Sequence, residues 1–285
     1  MIEVWRMSNH MVSPHKGPNQ EVKTDDIVSG EIWHKYSRAL GVRWTSSWDC
    51  SEHTQWWYCI KDTPFVLSEL KAKRRYEITK GSRNFTVRRL NSEEYIERMY
   101  DVYKDALTGY KNTPPELLNT FKGQTLPWFH YDSSIGGGRE MLVYGAFNED
   151  EQMCGYAHLI KYKDHCSFST LKTRPSSESK GINAAICYQI LSDLEEDLQR
   201  NDFFISDGAR NLFHETHFQD YLEKYFCFRK AYCKLNVVWN PKISWIIKVL
   251  YPFRKLFLKL DDKKVFHAMN ALLLSEDISR DCRNK

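Results

Sequence analysis

Hydrophobic runs separated by short polar turns in the middle of the chain predict strands that follow one another closely. The segments "MLVYGAF", "MCGYAHLI" and "CSFSTLK" are three successive strands joined by the polar turns "NEDEQ" and "KYKDH". Upstream, "NSEEYIERMYDVYKDAL" has apolar residues at helical spacing and opens with a capping-box pattern at Asn91 and Glu94. Downstream, apolar residues recur every four positions and predict one long helix with a buried side. These residues are Ile182, Ile186, Ile190, Leu194 and Leu198.

The other segments complete a mixed sheet. "NFTVRRL" predicts a strand before the first helix, and "TPPELLNTFKG" predicts a second helix that ends at Gly123. "DFFIS" is a further strand, "HFQDYLEKYF" a helix and "CFRKAYCKLNVVW" a last long strand. The order β-α-α-β-β-β-α-β-α-β predicts a sheet that begins antiparallel and then takes helical crossovers, an α/β (α+β mixed) architecture.

The first eighty-odd residues have a different character. Five of the nine tryptophans lie between Trp33 and Trp57, and our default interpretation is that they are core. "LSELKAKRRYEITKG" predicts a helix that Gly81 ends. Its cations either grip a phosphate or an RNA, or form a solvated face. They are Lys71, Lys73, Arg74, Arg75 and Lys80.

Composition narrows the class of protein. The 285 residues are 42% hydrophobic and 27% charged, values ordinary for a folded soluble protein of one large or two small domains. The net charge of +4 is too slight to indicate a nucleic-acid partner by itself. The eight cysteines form no CxxC pair, which favours reduced thiols in the cytoplasm. Cys50, His53 and Cys59 lack a fourth zinc ligand, so no metal site is predicted.

The polar segment "RPSSESKGINAAICYQIL" at residues 174–191 interrupts the strands and then becomes a helix. A helix start leaves backbone N–H groups unpaired and carries a partial positive charge, so it suits an anion such as a diphosphate. Ser176, Ser177, Ser179 and Lys180 add donors, and Gly181 lets a ligand approach the backbone. The alternative is that Ser179 merely caps the helix.

Element order and three motifs over residues 86–239 resemble the GNAT acyltransferase fold, in which an acyl group passes from coenzyme A to an amine. The motifs are the loop "SSESKGINAA", the segment "DFFISDGARN" at the predicted splay of two strands, and "DYLEKYFCFRKAYC". The sequence departs from the family where Ile182 and Asn183 follow Gly181, and where Cys227 replaces a usual glycine. The resemblance implies an acyl-CoA site. Its residues would be Leu171, Thr173, Ser176, Ser177, Ser179, Lys180, Gly181, Ile182 and Asn183.

Acyl transfer to an amine needs a base, an oxyanion donor and a proton for the leaving group. Asp207, His214 and Glu215 are base candidates because they follow the end of a strand, and His214 has the ordinary pKa best suited to neutral pH. Asp207 beside Gly208 is alternatively a plain turn. The resemblance puts the acid near Tyr221, whose alternative role is packing.

A basic helix of the type "LSELKAKRRYEITKG" that leads into a strand and then into "NSEEYIERMYDVY" also resembles Fem-type aminoacyltransferases, which pair two GNAT-like units around a cell-wall precursor. This resemblance implies an alternative function, transfer of an aminoacyl group from tRNA, with the basic helix at residues 67–80 on the RNA. We expect residues 1–85 to form an aromatic-rich subdomain, which the Fem-type resemblance implies is a degenerate first unit, and residues 86–240 to form the acyltransferase domain. Nothing in the sequence indicates the oligomeric state.

Residues 241–285 form an amphipathic helical tail, kinked at Pro252. An apolar side opposed by Lys248, Lys255 and Lys259 suits an anionic membrane surface, or docking onto the protein's own core or a partner. The apolar side comprises Ile243, Ile246, Ile247, Leu250, Phe253, Phe257 and Leu260.

The sequence as a whole predicts an N-acyltransferase that moves an acyl group, such as acetyl, from acyl-CoA to an amine on an amino sugar or cell-envelope precursor. The N-terminus has no signal-peptide pattern and no segment is apolar enough to span a membrane, so we expect a cytoplasmic protein. The tail adds the expectation of peripheral contact with the inner face of the cytoplasmic membrane. A further alternative is a non-catalytic membrane adaptor that retains the fold and has lost its ligand site.

Overall fold

The chain forms two compact units, each assembled from separated stretches of sequence. In the computed structural model, unit 1 comprises Met1–Tyr58, Ala209–Thr216 and Lys230–Lys285, and unit 2 comprises Cys59–Gly208 and His217–Arg229. The structure describes residues 3–108, 117–131, 138–212, 217–258 and 264–284. The predicted division at residues 85 and 240 follows chain order, and it stays a prediction.

Strands and helices alternate along most of the described chain. The strands are β1 (Trp5–Ser8), β2 (Met11–Pro14), β3 (Gly41–Ser46), β4 (Trp56–Lys61), β5 (Thr86–Arg89), β6 (Glu140–Phe147), β7 (Met153–Lys161), β8 (His165–Thr173), β9 (Phe204–Ala209) and β10 (Arg229–Trp239). The helices are α1 (Asp25–Val28), α2 (Glu31–Lys35), α3 (Ala72–Asn84), α4 (Ile96–Leu107), α5 (Leu118–Thr125), α6 (Pro175–Glu178), α7 (Ile182–Asp193), α8 (Glu195–Leu198), α9 (Phe218–Phe226), α10 (Pro241–Leu250), α11 (Arg254–Leu258) and α12 (Lys264–Asn284).

Unit 2 is built on a mixed sheet with the strand order β9-β8-β7-β6-β5. Strands β5 to β8 pair antiparallel and β9 pairs parallel to β8, which confirms the predicted change from hairpins to a helical crossover. The two faces of β7 show where the helices pack, because successive strand residues point to opposite sides. Tyr156 lies in the core cluster with residues of α4, and the backbone of Gly155 lies against Ile182 and Ile186 of α7.

Helix α7 is buried almost all round. The five apolar residues predicted to line its buried side are all buried, although the helix ends at Asp193 and the last two lie beyond it. Ala184, Ala185 and Cys187 are buried as well. The sheet covers one side of α7, and α3 packs on it from elsewhere in unit 2. This burial explains why a helix so close to the candidate site carries few polar residues.

Two local predictions are wrong. Gly81 does not end the preceding helix, because α3 continues to Asn84. The cap before α4 is Ser92 rather than Asn91: the Ser92 hydroxyl accepts a hydrogen bond from the Glu94 backbone N–H at 3.3 Å. In contrast, the buried stripe of α4 is confirmed at Ile96, Met99, Val102 and Ala106.

Unit 1 holds the first three strands, β10 and the C-terminal helices. Strand β3 pairs parallel to β2 and antiparallel to β10. Ile247 of α10 is buried in a cluster with Trp56, Leu235 of β10 and Leu273 of α12. The apolar side of the tail therefore docks onto the core of its own unit, which is one of the alternatives left open by the sequence.

The kink predicted in the tail is confirmed, because a 3₁₀ turn at Tyr251–Phe253 contains Pro252 and separates α10 from α11. One position on the predicted apolar side is wrong: Phe253 is exposed. Leu260 lies outside the described residues. No helix in the described ranges is both long and apolar enough to cross a membrane.

Candidate functional site

Strands β8 and β9 are paired only at their beginnings. Their register runs from His165 opposite Phe204 to Ser167 opposite Ser206, yet β8 continues to Thr173 and β9 to Ala209. Strand β8 also has one residue more than β7 where His158 and Leu159 lie opposite it, a bulge that increases local bending. The two strands thus separate after a short parallel pairing, as the sequence predicted for "DFFISDGARN".

Aromatic rings line the region where the strands separate. Phe168, the first β8 residue past the last pair, meets Phe218 of α9 edge to face at 5.9 Å between ring centroids. Phe218 stacks on Tyr221 at 6.1 Å, and Tyr221 lies 4.9 Å from Tyr225. These rings lower the local polarity, so ionisable groups beside them are poorly hydrated.

Asp207 is the first residue of β9 beyond the last pair. Burial raises the pKa of its carboxyl to about 6, and a hydrogen bond from the Gln219 side chain opposes that shift. Gly208 follows with φ at +89°, and its N–H donates to the Ser206 hydroxyl at 2.9 Å. Apart from Gly208 and its two chain neighbours, no described residue has a heavy atom within 4 Å of where a Gly208 side chain would begin, so the described residues leave space beside this backbone. A carboxyl with a pKa near 6 is suited to accept a proton at neutral pH.

Tyr221 is held in its protonated form. Burial raises the pKa of its phenol, and Cys187 and Tyr225 raise it further. Burial and then the charge of Asp207 raise the pKa of the Cys187 thiol, so this thiol is a neighbour of both candidate groups. The site therefore combines a carboxyl that loses its proton near pH 6 with a phenol that keeps its own.

The serine-rich segment folds as a short helix and a turn before α7. Ser176, Ser179 and Lys180 are exposed, whereas Ser177 is buried in α6. Ser179 does not cap α7, because Gly181 is the N-cap residue, with φ at +87°, and no side chain caps it. Three of the predicted donors thus face solvent next to the start of α7.

The start of α7 is packed against α3. A methyl group at Gly81 would lie 2.3 Å from the carbonyl oxygen of Gly181, so the two backbones are in direct contact. The Asn84 side chain donates to the Lys180 carbonyl at 3.0 Å, and Ile182 is fully buried. The backbone of α3 therefore fills part of the space beside the first turn of α7.

The other predicted ligand residues lie at the separated end of β8. Thr173 is buried with its hydroxyl 3.4 Å from the Asn183 side-chain oxygen, and Leu171 is half-buried. Arg174 fixes this end: its Nε donates to the Met153 carbonyl at 3.0 Å and its guanidinium pairs with Asp105. The structure thus divides the predicted acyl-CoA residues between the β8 end and the exposed turn.

Two base candidates, His214 and Glu215, lie outside the described residues. Of the three candidates on this segment, the structure describes only Asp207, and it places that residue on a strand rather than in a plain turn. Sequence reasoning overlooked Gln219 and Lys172. Burial lowers the pKa of the Lys172 ammonium on the separated part of β8, and its position between Leu171 and Thr173 was the only signal of it.

His158 of β7 is buried inside unit 2. It stacks on Trp128 at 4.4 Å, and burial lowers its pKa to about 4, so the ring is neutral. Its Nε2 has no hydrogen-bond partner among the described residues.

The replacement of the family glycine at Cys227 has a structural counterpart. Cys227 ends α9 with φ at +56°, a left-handed conformation that glycine adopts most easily. The chain therefore has a left-handed residue at the position where the resembled motif has glycine.

No protein-family model matches the chain, and no curated protein is similar to it in sequence. Solved structures do match, and they show that the chain has a GNAT-like mixed α/β fold. L-PGS from Bacillus licheniformis is 12% identical, with a TM-score of 0.52 over 86% of this chain and 83% of that one. FemX is 9% identical, with a TM-score of 0.51 over 78% of each chain. A conserved protein of unknown function from Bacteroides thetaiotaomicron VPI-5482 is 10% identical, with a TM-score of 0.50 over 81% of this chain and 79% of that one.

Proposed function

We propose that the protein is an acyltransferase whose reaction takes place where β8 and β9 separate. The observation that supports this most directly is Asp207, a partly buried carboxyl with a pKa of about 6 beside open space at Gly208. The similarity in fold to L-PGS and FemX over most of each chain agrees with it.

The residues of the site suggest a single path for the protons. The amine nitrogen of the acceptor attacks the carbonyl carbon of the donor, and Asp207 takes the proton that this nitrogen loses. Backbone N–H groups between Leu171 and Thr173 stabilise the oxyanion, because β9 no longer pairs with that part of β8. When the bond to the leaving group breaks, Tyr221 gives its proton to the leaving atom. The Asp207 proton then returns to solvent or to Tyr221.

We infer that the donor is an aminoacyl-tRNA. The contact between Gly81 and Gly181 leaves little room for a diphosphate at the first turn of α7. Helix α3 carries five cations against Glu77 alone, and among the described residues none of Lys73, Arg74, Lys80 and Arg83 forms a salt bridge. Lys73 and Arg83 are exposed and Arg74 and Lys80 are half-buried, and a helix with such unpaired cations suits a phosphate backbone.

A second candidate donor is acyl-CoA. The exposed hydroxyls of Ser176 and Ser179 and the ammonium of Lys180 favour it, because they offer donors to a diphosphate outside the α3 contact. The acceptor in either case is an amine, which we propose belongs to an amino sugar or a cell-envelope precursor. The protein would then act in the cytoplasm at the inner face of the membrane, with residues 1–85 as a reduced counterpart of the first Fem unit.

The test is a transfer assay with two labelled donors. The protein is incubated with amine acceptors and either tRNA charged with labelled amino acids or labelled acetyl-CoA. We expect the wild-type protein to transfer label from tRNA to the acceptor, and we expect Asp207→Asn to abolish this transfer. Transfer from acetyl-CoA alone would favour the second candidate. Transfer from neither, with no thermal stabilisation by either donor, would leave only a non-catalytic adaptor; a donor at 100 times its Kd should stabilise by about 2.7 kcal/mol.

A further inference from the structure

The helical tail of unit 1 has an exposed apolar stripe on the side that faces away from its own core. Trp245, Val249, Phe253 and Leu256 are 62%, 56%, 56% and 58% exposed. They recur every three or four residues along α10, the 3₁₀ turn and α11, so they share one side of the helical segment. This stripe differs from the apolar side predicted from the sequence, and it shares only Phe253 with it.

None of the four stripe residues belongs to the core cluster of unit 1 in the described part of the chain. The opposite side of α10 supplies the buried contacts, through Ile247 and the half-buried Ile243 and Leu250. Single exposed apolar residues are normal on protein surfaces, but contiguous ones mark an interaction site. Of the twelve large hydrophobic residues that are exposed in the described ranges, these four fall within twelve consecutive positions. That clustering separates the stripe from ordinary scattered exposure.

The charged side chains of the helical segment itself are all cations, and the nearby Asp277 of α12 is paired with Arg254. Lys242, Lys248 and Lys255 are exposed on the same helical segment, and the sequence from 241 to 260 contains no carboxylate. None of the three lysines forms a salt bridge within the described part of the chain. Their charges are therefore available to an anionic partner.

We propose that this stripe, Trp245–Val249–Phe253–Leu256 with its three lysines, docks the protein onto an anionic lipid bilayer. Trp245 lies at the height of the headgroups, where tryptophan is favoured, and the aliphatic residues enter the acyl boundary. The lysines pair with anionic headgroups. A second copy of the chain fits less well, because a self-complementary contact would bring the lysines of both copies together on a segment that has no carboxylate of its own. The docking does not rest on the transferase activity.

The test is co-sedimentation of the full chain with vesicles of phosphatidylglycerol or of phosphatidylcholine alone. Binding should be selective for phosphatidylglycerol and should weaken as salt rises from 0.1 to 0.5 M. Lys248→Gln with Lys255→Gln should weaken binding about 25-fold, since each lysine near an anionic surface is worth about fivefold. Trp245→Ser with Leu256→Ser should weaken it at least about tenfold, because two apolar anchors no longer enter the bilayer.

Matched controls distinguish a specific surface from a general effect. Val28→Ser removes an apolar residue that is 85% exposed elsewhere in unit 1, and it should leave vesicle binding unchanged. Circular dichroism checks that each variant is folded. Equal binding to both lipids, or binding insensitive to the tail substitutions, would overturn the proposal. So would sedimentation velocity showing a wild-type dimer that the Trp245→Ser, Leu256→Ser variant converts to monomer, since the stripe would then join two copies.

Discussion

At the scale of single residues, Asp207 lies where burial destabilises its charged form and raises its pKa into the range useful for proton transfer. Burial raises its pKa to about 6, so near neutral pH the carboxylate is formed in a poorly hydrated place. We expect Asp207→Asn to lower kcat/KM by about 10² to 10⁴, the range for loss of a general base. The activity of the wild type should rise with pH through about 6. The control variant Asp202→Asn, which changes an exposed carboxyl, should keep the wild-type activity.

The raised pKa of Asp207 also predicts that Asp207→Asn, which should lower activity, increases the stability of the folded chain. The folded pKa lies above that of the unfolded chain, so the folded state binds more protons between about pH 4 and 6, and stability is lost as pH rises through that window. The side chain introduced by Asp207→Asn carries no charge, so the variant does not lose stability as the pH rises through this window. Urea unfolding at pH 7.5 should show the variant more stable by up to about 3 kcal/mol, with the difference vanishing near pH 4. A variant less stable at pH 7.5 would contradict the assignment.

Tyr221 and Tyr225 test the proposed acid against simple packing. Both lie on α9 with their rings 4.9 Å apart, and burial raises the pKa of Tyr221. Tyr221→Phe keeps the ring and removes the proton, so kcat should fall about tenfold or more while the free energy of unfolding changes by less than about 1 kcal/mol. Tyr225→Phe serves as the matched control and should keep kcat. Equal kcat in both variants would assign Tyr221 to packing.

At the scale of elements, the contact between α3 and α7 depends on two glycines about one hundred residues apart. Gly81→Ala would bring a methyl group to 2.3 Å from the Gly181 carbonyl oxygen, and the backbones would have to separate. We expect a loss of about 2–3 kcal/mol in the free energy of unfolding, measured by urea denaturation. Gly123→Ala is the control, because Gly123 lies inside α5 and a methyl group there would meet no described heavy atom within 4 Å beyond its chain neighbours and the adjoining backbone of α5. This variant should gain about 0.5–1 kcal/mol. Similar values for both would show that the helices do not touch there.

That contact also shows what sequence reasoning can and cannot reach. The hydrophobic patterns of α4, α7 and β6 to β8 were enough to predict their order, and the periodicity of the two helices also predicted their buried sides, because both patterns are found in neighbouring residues. From its local sequence Gly81 predicts the end of a helix, but in the structure a glycine is needed there because the backbone of Gly181 lies against it. This contact joins residues far apart in the chain, so the sequence predicted a diphosphate site at the start of α7 without showing that α3 packs beside it. It favoured His214 over Asp207 on ordinary pKa values, because the burial that shifts Asp207 arises only in the folded chain.

At the scale of the whole molecule, the small net charge is the sum of two strongly basic segments and a remainder that is net acidic. The chain carries +4, and α3 alone carries as much, with five cations against one anion. Residues 241–260 add five cations with no anion, so the rest of the chain has a net charge of −5. A modest overall charge is therefore compatible with two separate anionic partners. We assign the RNA to α3 and the lipid surface to the tail.

Because the two partners are assigned to different segments, substitutions in either segment should weaken binding to one partner and leave the other unchanged. Lys73→Ala and Arg83→Ala on α3 should each reduce by about one the slope of log Kd against log salt for tRNA, because each removes a phosphate contact and its released counterion. Neither should change binding to phosphatidylglycerol vesicles. The tail variant Lys248→Gln, Lys255→Gln should behave in the opposite way, and Lys163→Ala, an exposed cation between β7 and β8, should affect neither partner. If α3 and tail variants weaken both partners equally, binding follows net charge alone and the two surfaces have no separate roles. If only the tail variants have an effect, vesicle docking stands while the aminoacyl-tRNA donor is wrong, and the exposed turn at Ser176, Ser179 and Lys180 becomes the place to test acyl-CoA.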